Sequence, residues 1–249
     1  MPRRARLAAL LAPAAAVLLL AGCGSPTTKS PSSSTGKSKS NNLTSSFSFA
    51  SAVLPSYTAD YAITGPAKGT MTWTVSQAGS HTIVAVHQDY AGNVESDRIV
   101  LTRQGLRFVS AQEDVAGQGH HLTISAHVQG KKILESANLD GKAESVSYPF
   151  GKETLVNVAI LPTLAGLTVK PGDLQIVQDV ILKHGVAVPI GFTANDRTKV
   201  TTPAGTFATT PITLSGSGPN QKAFVDMQNH VLVRYVNAQS TFNLVRLTR

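Results

Sequence analysis

The sequence predicts a mainly β fold, a single curved antiparallel sheet or half-barrel with at most one or two short helices. Three observations point there: period-two alternation of apolar and polar residues, closely spaced turn signals, and the lack of strand–helix alternation of the kind that builds parallel sheets. In chain order, residues 69–76 set Met71, Trp73 and Val75 on one face against Thr70, Thr72 and Thr74. Successive side chains of a strand leave opposite faces, so such a segment separates a core side from a wet side. Residues 121–128 repeat the pattern, with Leu122, Ile124, Ala126 and Val128 against His121, Thr123, Ser125 and His127. Shorter apolar runs at 82–86, 99–101, 106–109, 186–192, 207–214, 231–236 and 242–247 read as further strands. Between them stand turn signals such as Ala91-Gly92-Asn93, Gly117-Gln118-Gly119, Leu139-Asp140-Gly141, Pro203-Ala204-Gly205 and Gln228-Asn229.

Two segments are less regular. Residues 154–165 are apolar with both helical and extended character, interrupted by Pro162, and read as a short helix capping the sheet. Residues 174–182 follow the turn Lys170-Pro171-Gly172-Asp173 and read as a strand through Leu174, Ile176, Val180 and Leu182. Pro189 and Pro211 fall inside strand-like runs. Proline offers no ladder donor, so these positions belong at edges or bulges.

Ahead of the β-rich region, assigned to residues 47–249, lie two segments of different composition. Residues 1–23 open with Arg3, Arg4 and Arg6, continue through an apolar run and end in Leu20-Ala21-Gly22-Cys23, the three-part anatomy of an export signal closing on a lipobox. Pro13 breaks the apolar run, which is short for the roughly 20 residues of a membrane span. Residues 24–46 are Ser, Thr, Lys, Pro, Gly and Asn with almost nothing apolar, a composition that cannot offset its ordering entropy and reads as a disordered tether. A coil of that length has an r.m.s. reach of about 25 Å. The lipobox resembles that of bacterial lipoproteins. The resemblance implies diacylglyceryl attachment, with palmitate-type chains, at the sulfur of Cys23, removal of the leader, and an extracytoplasmic domain anchored to a bacterial membrane. It also accounts for the single cysteine of the chain.

The formal charge of +8 misleads about the folded region. Of 22 lysines and arginines, three lie in the leader and three, Lys29, Lys37 and Lys39, in the tether, leaving 16 against 14 acidic residues. A nearly neutral domain argues against nucleic-acid binding.

The stretch from Lys199 to Thr209, with Thr202-Pro203-Ala204-Gly205-Thr206-Phe207 at its centre, then Phe224-Val225-Asp226 and Val231 to Arg234, resembles the C-terminal half of an uncharacterised bacterial envelope family. In that family a Thr-Pro-x-Gly-x-Phe hairpin leads to a strand ending in an acidic turn and a return strand with a basic residue. Asp226 and Arg234 match those charges, and Pro171-Gly172 an earlier turn, while the family's Trp before the acidic turn is missing. The resemblance implies a strongly curved antiparallel sheet, similar to the half-barrels of Lol-type lipoprotein carriers, and no established catalytic residues.

Catalytic and metal signatures are weak. His81, His87, His120, His121 and His127 crowd one third of the chain, but same-strand pairs six residues apart stand about 20 Å apart and cannot share an ion. No HExxH, CxxC, acidic calcium loop, G-x-S-x-G or phosphate-cradling loop occurs. Glu95 with Asp97, and Glu113 with Asp114, read as solvated hairpin ends. No catalytic residue, metal ligand or cofactor is assigned. Trp73, Phe108, Phe192, Phe207, Phe224, Tyr235 and Phe242 either line an apolar cavity or pack the core. The expectation is a non-enzymatic domain that binds an apolar envelope component, a lipid or a partner protein across its sheet. A structural module of an envelope complex and a hydrolase of envelope substrates are the rivals. An apolar cavity above roughly 300 Å³ favours carriage; titratable groups converging in a cleft favour hydrolysis.

Overall fold

The computed structural model describes Phe47, residues 49–216 and residues 219–249; the leader, the lipobox with Cys23 and the tether lie outside them. Among the described residues sixteen strands join in one sheet. The N-terminal half is an unbroken meander: β1 (Tyr57–Thr64), β2 (Gly69–Ala78), β3 (His81–Tyr90), β4 (Asn93–Thr102), β5 (Phe108–Gly117), β6 (His120–Gln129), β7 (Lys132–Leu139) and β8 (Lys142–Pro149). The C-terminal half holds β9 (Thr154–Val156), β10 (Leu174–Ile181), β11 (Val186–Ala194), β12 (Thr198–Thr202), β13 (Gly205–Ser215), β14 (Gln221–Asp226), β15 (Val231–Val236) and β16 (Thr241–Thr248). The sheet order is β8-β7-β6-β5-β4-β3-β2-β1-β16-β15-β14-β13-β11-β10-β9, with β12 paired to β13 off this path; all pairings are antiparallel except β9 with β10, and β16 returns to pair with β1. The sheet does not close into a barrel.

Its two halves nevertheless face each other. One helix, α1 (Asn157–Gly166), touches β4 of the first half and β10, β14 and β15 of the second, so the sheet wraps around it. All ten residues of α1 are buried. A helix that is apolar on every side belongs in an interior. It starts at Val156 without a side-chain cap and carries Pro162, so packing and not local propensity holds it. The mouth beside its C-terminal end is closed by the chain's own lead-in. Phe47, Ala52 and Leu54 are buried, the Val53 N–H donates to the Gly166 carbonyl (3.0 Å), and the Phe47 ring lies 6.4 Å from that of Phe192.

The predicted strands are present, and 174–181 is extended, in β10, but the face expected there is corrected: Ile176 is exposed, Leu182 lies in the following turn, and the buried side runs through Gln175, Val177, Asp179 and Ile181 because the core covers the odd-numbered face. The run expected at 106–109 begins only at Phe108, because Leu106 occupies a left-handed turn (φ 45°). Strands β1, β7 and β8 are not among the expected ones, and 154–156, expected to be helical, is extended in β9, the helix starting at Asn157. Seven of eight residues in β8 are exposed, so it lacks the apolar face that marks a strand. Pro211 stands where β13 changes partner from β12, which it pairs through Thr209, to β11, which it pairs from Ile212. Its carbonyl still accepts a bond from the Asn195 N–H (2.8 Å).

Candidate functional site: a carboxylate cluster inside the sheet

Alternation in β4 runs opposite to what hydropathy suggests. Val94 is 42% exposed while Glu95 and Asp97 are 4% and 5% exposed, facing the core with Ile99 and Leu101. On β5, Glu113 points inward at 2% exposure. The expectation that Glu95, Asp97 and Glu113 are solvated hairpin ends is therefore corrected: each belongs by parity to the core face of its strand, and one-residue steps in a strand swap faces. Asp114 does stay outside, where His121 meets its carboxylate at 3.1 Å. Asp97 and Glu113 are direct cross-strand partners, a like-charge pairing that is unfavourable unless a cation or proton intervenes. Glu135 of β7 joins them at 4% exposure.

The counter-charge arrives from the far end of the sheet. Lys183, in the turn between β10 and β11, adopts a left-handed backbone (φ 74°) that glycine favours and lysine seldom takes. There its Nζ lies 2.7 Å from Glu113 Oε2 and 3.5 Å from Glu95 Oε1. Its backbone N–H donates to Glu135 Oε1 at 3.0 Å. The hydroxyls of Tyr90 and Tyr148 donate to Glu95 Oε2 (3.2 Å) and Glu135 Oε2 (2.6 Å). Burial alone would lower the Lys183 pKa, yet Glu113 and then Glu95 outweigh it and hold the ammonium well above its ordinary range. Asp97 shifts strongly upward, first through burial and then through Glu95 and Glu113. Glu113 rises mainly through burial, with Lys183 opposing. Beside the cluster, Gln88 faces Glu95 across the β3–β4 ladder, is fully buried, and finds no partner for either amide atom. One ammonium thus reaches two of the four buried carboxylates, Glu113 and Glu95. The sequence signal for this group is parity: Glu95 and Asp97 share the face of Ile99 and Leu101, and Glu113 that of Ala111 and Val115.

The aromatic set is dispersed. Trp73, Tyr235 and Phe242 line a cavity of about 20 Å³ beside Val158 and Leu161 of α1, with Asp97 also on its wall. Phe108 and Phe192 are buried elsewhere in the core, and Phe207 packs against its margin half-buried. Phe224 is half-buried and stands apart from that core. The void is the size of one water and far below a lipid chamber. Of the five histidines, His81 is half-buried and the others exposed; His120 pairs with Asp140 at 2.7 Å. Among the described residues, Glu95, Asp97 and Glu113 form the one group of three or more metal-ligating side chains whose donor atoms come together.

No family model matches the sequence, and no curated protein does. Among solved structures, a protein from Bacteroides fragilis described as exported, with a YmcC-like fold, aligns over 80% of this chain and all of its own at 10% identity, TM-score 0.30. A protein from Parabacteroides distasonis described as a lipoprotein aligns over 80% of this chain and 98% of its own at 12% identity, TM-score 0.30. Superposition this loose assigns neither a family nor a role. What the chain does must come from its own geometry.

Proposed function

We propose that this chain is a lipid-anchored, extracytoplasmic assembly module that docks an extended segment of an envelope protein along the free edge of its sheet, without catalysing a reaction. Its placement outside the cytoplasm is supported by the basic leader, the apolar run and the lipobox ending at Cys23. The observation that carries the docking role is strand β8. It ends the sheet order, pairs only with β7, and exposes Lys142 through Ser147. A strand edge presents unpaired backbone donors and acceptors, the template for adding another strand. Proteins blunt such edges with proline, bulges or lysines; here Lys142 and Pro149 flank the edge and six residues between them carry neither. Ser145, Val146 and Ser147 also border a groove with Ser125, His127 and Ser136, which offers hydroxyls to a partner's side chains.

A photocrosslinking residue placed at Ser145 in the intact envelope tests this. The expected result is one discrete crosslinked protein, lost on Val146→Pro and missing when the same residue is placed at Lys199 on β12. Equal products from both positions, or none from Ser145, would overturn the proposal.

A second reading, carriage of an apolar envelope component, draws on α1. A helix with no polar face, no cap and an internal proline fills the space that a ligand would take. Mass spectrometry of lipids co-purified with the chain distinguishes the two, since carriage demands a stoichiometric lipid and edge docking demands none.

A further inference from the structure

The strongest unexplained feature is the charge imbalance inside the sheet. Lys183 brings one ammonium, within reach of Glu113 and Glu95 alone, to a buried group of Glu95, Asp97, Glu113 and Glu135, and burying uncompensated carboxylate is costly by several kcal/mol per ion. Three buried oxygens there have no hydrogen-bond partner among the described residues: Asp97 Oδ1, Glu113 Oε1 and Gln88 Oε1. Gln88 is independent of the acidic group, and a fully buried amide with both ends idle is rare in folded proteins. One carboxylate oxygen from each of Glu95, Asp97 and Glu113 lies within 4.8 Å of the other two. Calcium–oxygen bonds of roughly 2.3–2.6 Å fit that spacing.

We infer that Glu95, Asp97 and Glu113, with the Gln88 carbonyl beside them, hold one hard divalent cation of the calcium class next to Lys183. The donor set is oxygen only, which disfavours zinc and copper. Magnesium is disfavoured as well, because it keeps several waters and the cluster is closed to solvent. Calcium accepts irregular, carboxylate-rich coordination and sheds water readily. The ion would supply the missing positive charge between Asp97 and Glu113, the like-charged pair of the ladder. The ion and Lys183 together would offset three of the four carboxylate charges, and Lys183 stands at the outer side of the group, its side chain 11% exposed. The inference is independent of the edge-docking role.

The test is a calcium titration of the purified chain after chelator treatment, followed by calorimetry and by thermal unfolding. The expected result is one ion per chain and a Tm raised by roughly 5–10 °C at a hundredfold excess over Kd. Asp97→Asn should weaken binding at least tenfold. Lys183→Met removes a competing cation and should bind calcium more tightly than the parent. Should either variant fail to fold, the parent's titration alone decides. No binding heat and no Tm change in calcium, manganese or magnesium up to about 10 mM, beyond the weakest extracellular calcium modules, would overturn the inference.

Discussion

Lys183 does at one position what a strand pairing does elsewhere. Its backbone N–H and its ammonium reach β7, β5 and β4, joining the far end of the sheet to the meander through side chains and not through a ladder. Removing it leaves Glu113 and Glu95 buried without a counter-charge, and breaking a buried pair typically costs about 3–5 kcal/mol. Lys183→Met, which keeps the volume, should therefore lower the urea midpoint sharply in calcium-free buffer. A change within about 0.5 kcal/mol, the level of ordinary surface substitutions, would show that the ion pair is not structural. Asp179 on β10 gives a second residue-scale prediction. It is fully buried, neither carboxylate oxygen has a partner, and burial pushes its pKa to about 7. An acid whose pKa is raised on folding binds more protons folded than unfolded, so its contribution is whole below the unfolded value near 3.9 and is lost as pH rises through about 7. Asp179→Asn should flatten that fall and make the chain more stable at pH 8, by up to about 4 kcal/mol. Parallel stability–pH curves for the two proteins between pH 4 and 8 would remove Asp179 from the account.

At the scale of elements, α1 and the lead-in before β1 stabilise each other through a close backbone approach. A Cβ on Gly166 would meet Leu106 Cδ1 at 2.2 Å and the Val53 carbonyl oxygen at 2.9 Å. The Val53 N–H bond to the Gly166 carbonyl depends on that proximity. Gly166→Ala should cost about 1–3 kcal/mol, as overpacking does, and hydrogen exchange should quicken at the Val53 amide before it quickens in β2 or β3. Unchanged protection at Val53 would show that the lead-in adapts. The sequence made the alternating strands legible, because Met71, Trp73 and Val75 or Leu122, Ile124 and Ala126 announce a buried face two residues at a time. It also marked 154–165 as the exceptional segment, where α1 forms. It could not show β8, whose alternation vanishes because both of its faces are open to solvent except at Tyr148. For Glu95, Asp97 and Glu113 it held only the parity shared with Ile99, Leu101 and Ala111, against their charge. Acids beside turns are normally solvated, and only the long-range arrival of Lys183 from β10–β11 makes their burial tolerable.

For the whole molecule, the open sheet and filled interior make the docked lead-in part of the fold. Residues 52–54 bond to three separate places: the Ala52 carbonyl accepts from the Gly105 N–H (2.9 Å), Val53 bonds to Gly166, and the Leu54 carbonyl accepts from Gln77 Nε2 (2.7 Å). Phe47 and Leu54 bury their side chains at the mouth, next to Phe192 and the end of α1. Full burial of a Phe or Leu side chain contributes about 1.5–3 kcal/mol, so two such residues supply a sizeable part of a domain's net stability of roughly 5–15 kcal/mol. A chain starting at Pro55 should therefore unfold at a lower Tm and bind a hydrophobic dye that the longer chain excludes. Adding back residues 47–54 as a separate peptide should restore dye exclusion, with Phe47→Ala in the peptide weakening the effect. If the shortened chain melts unchanged and stays dye-silent, the mouth is sealed by the sheet and α1 alone, and pulling on the tether would leave the domain's interior closed.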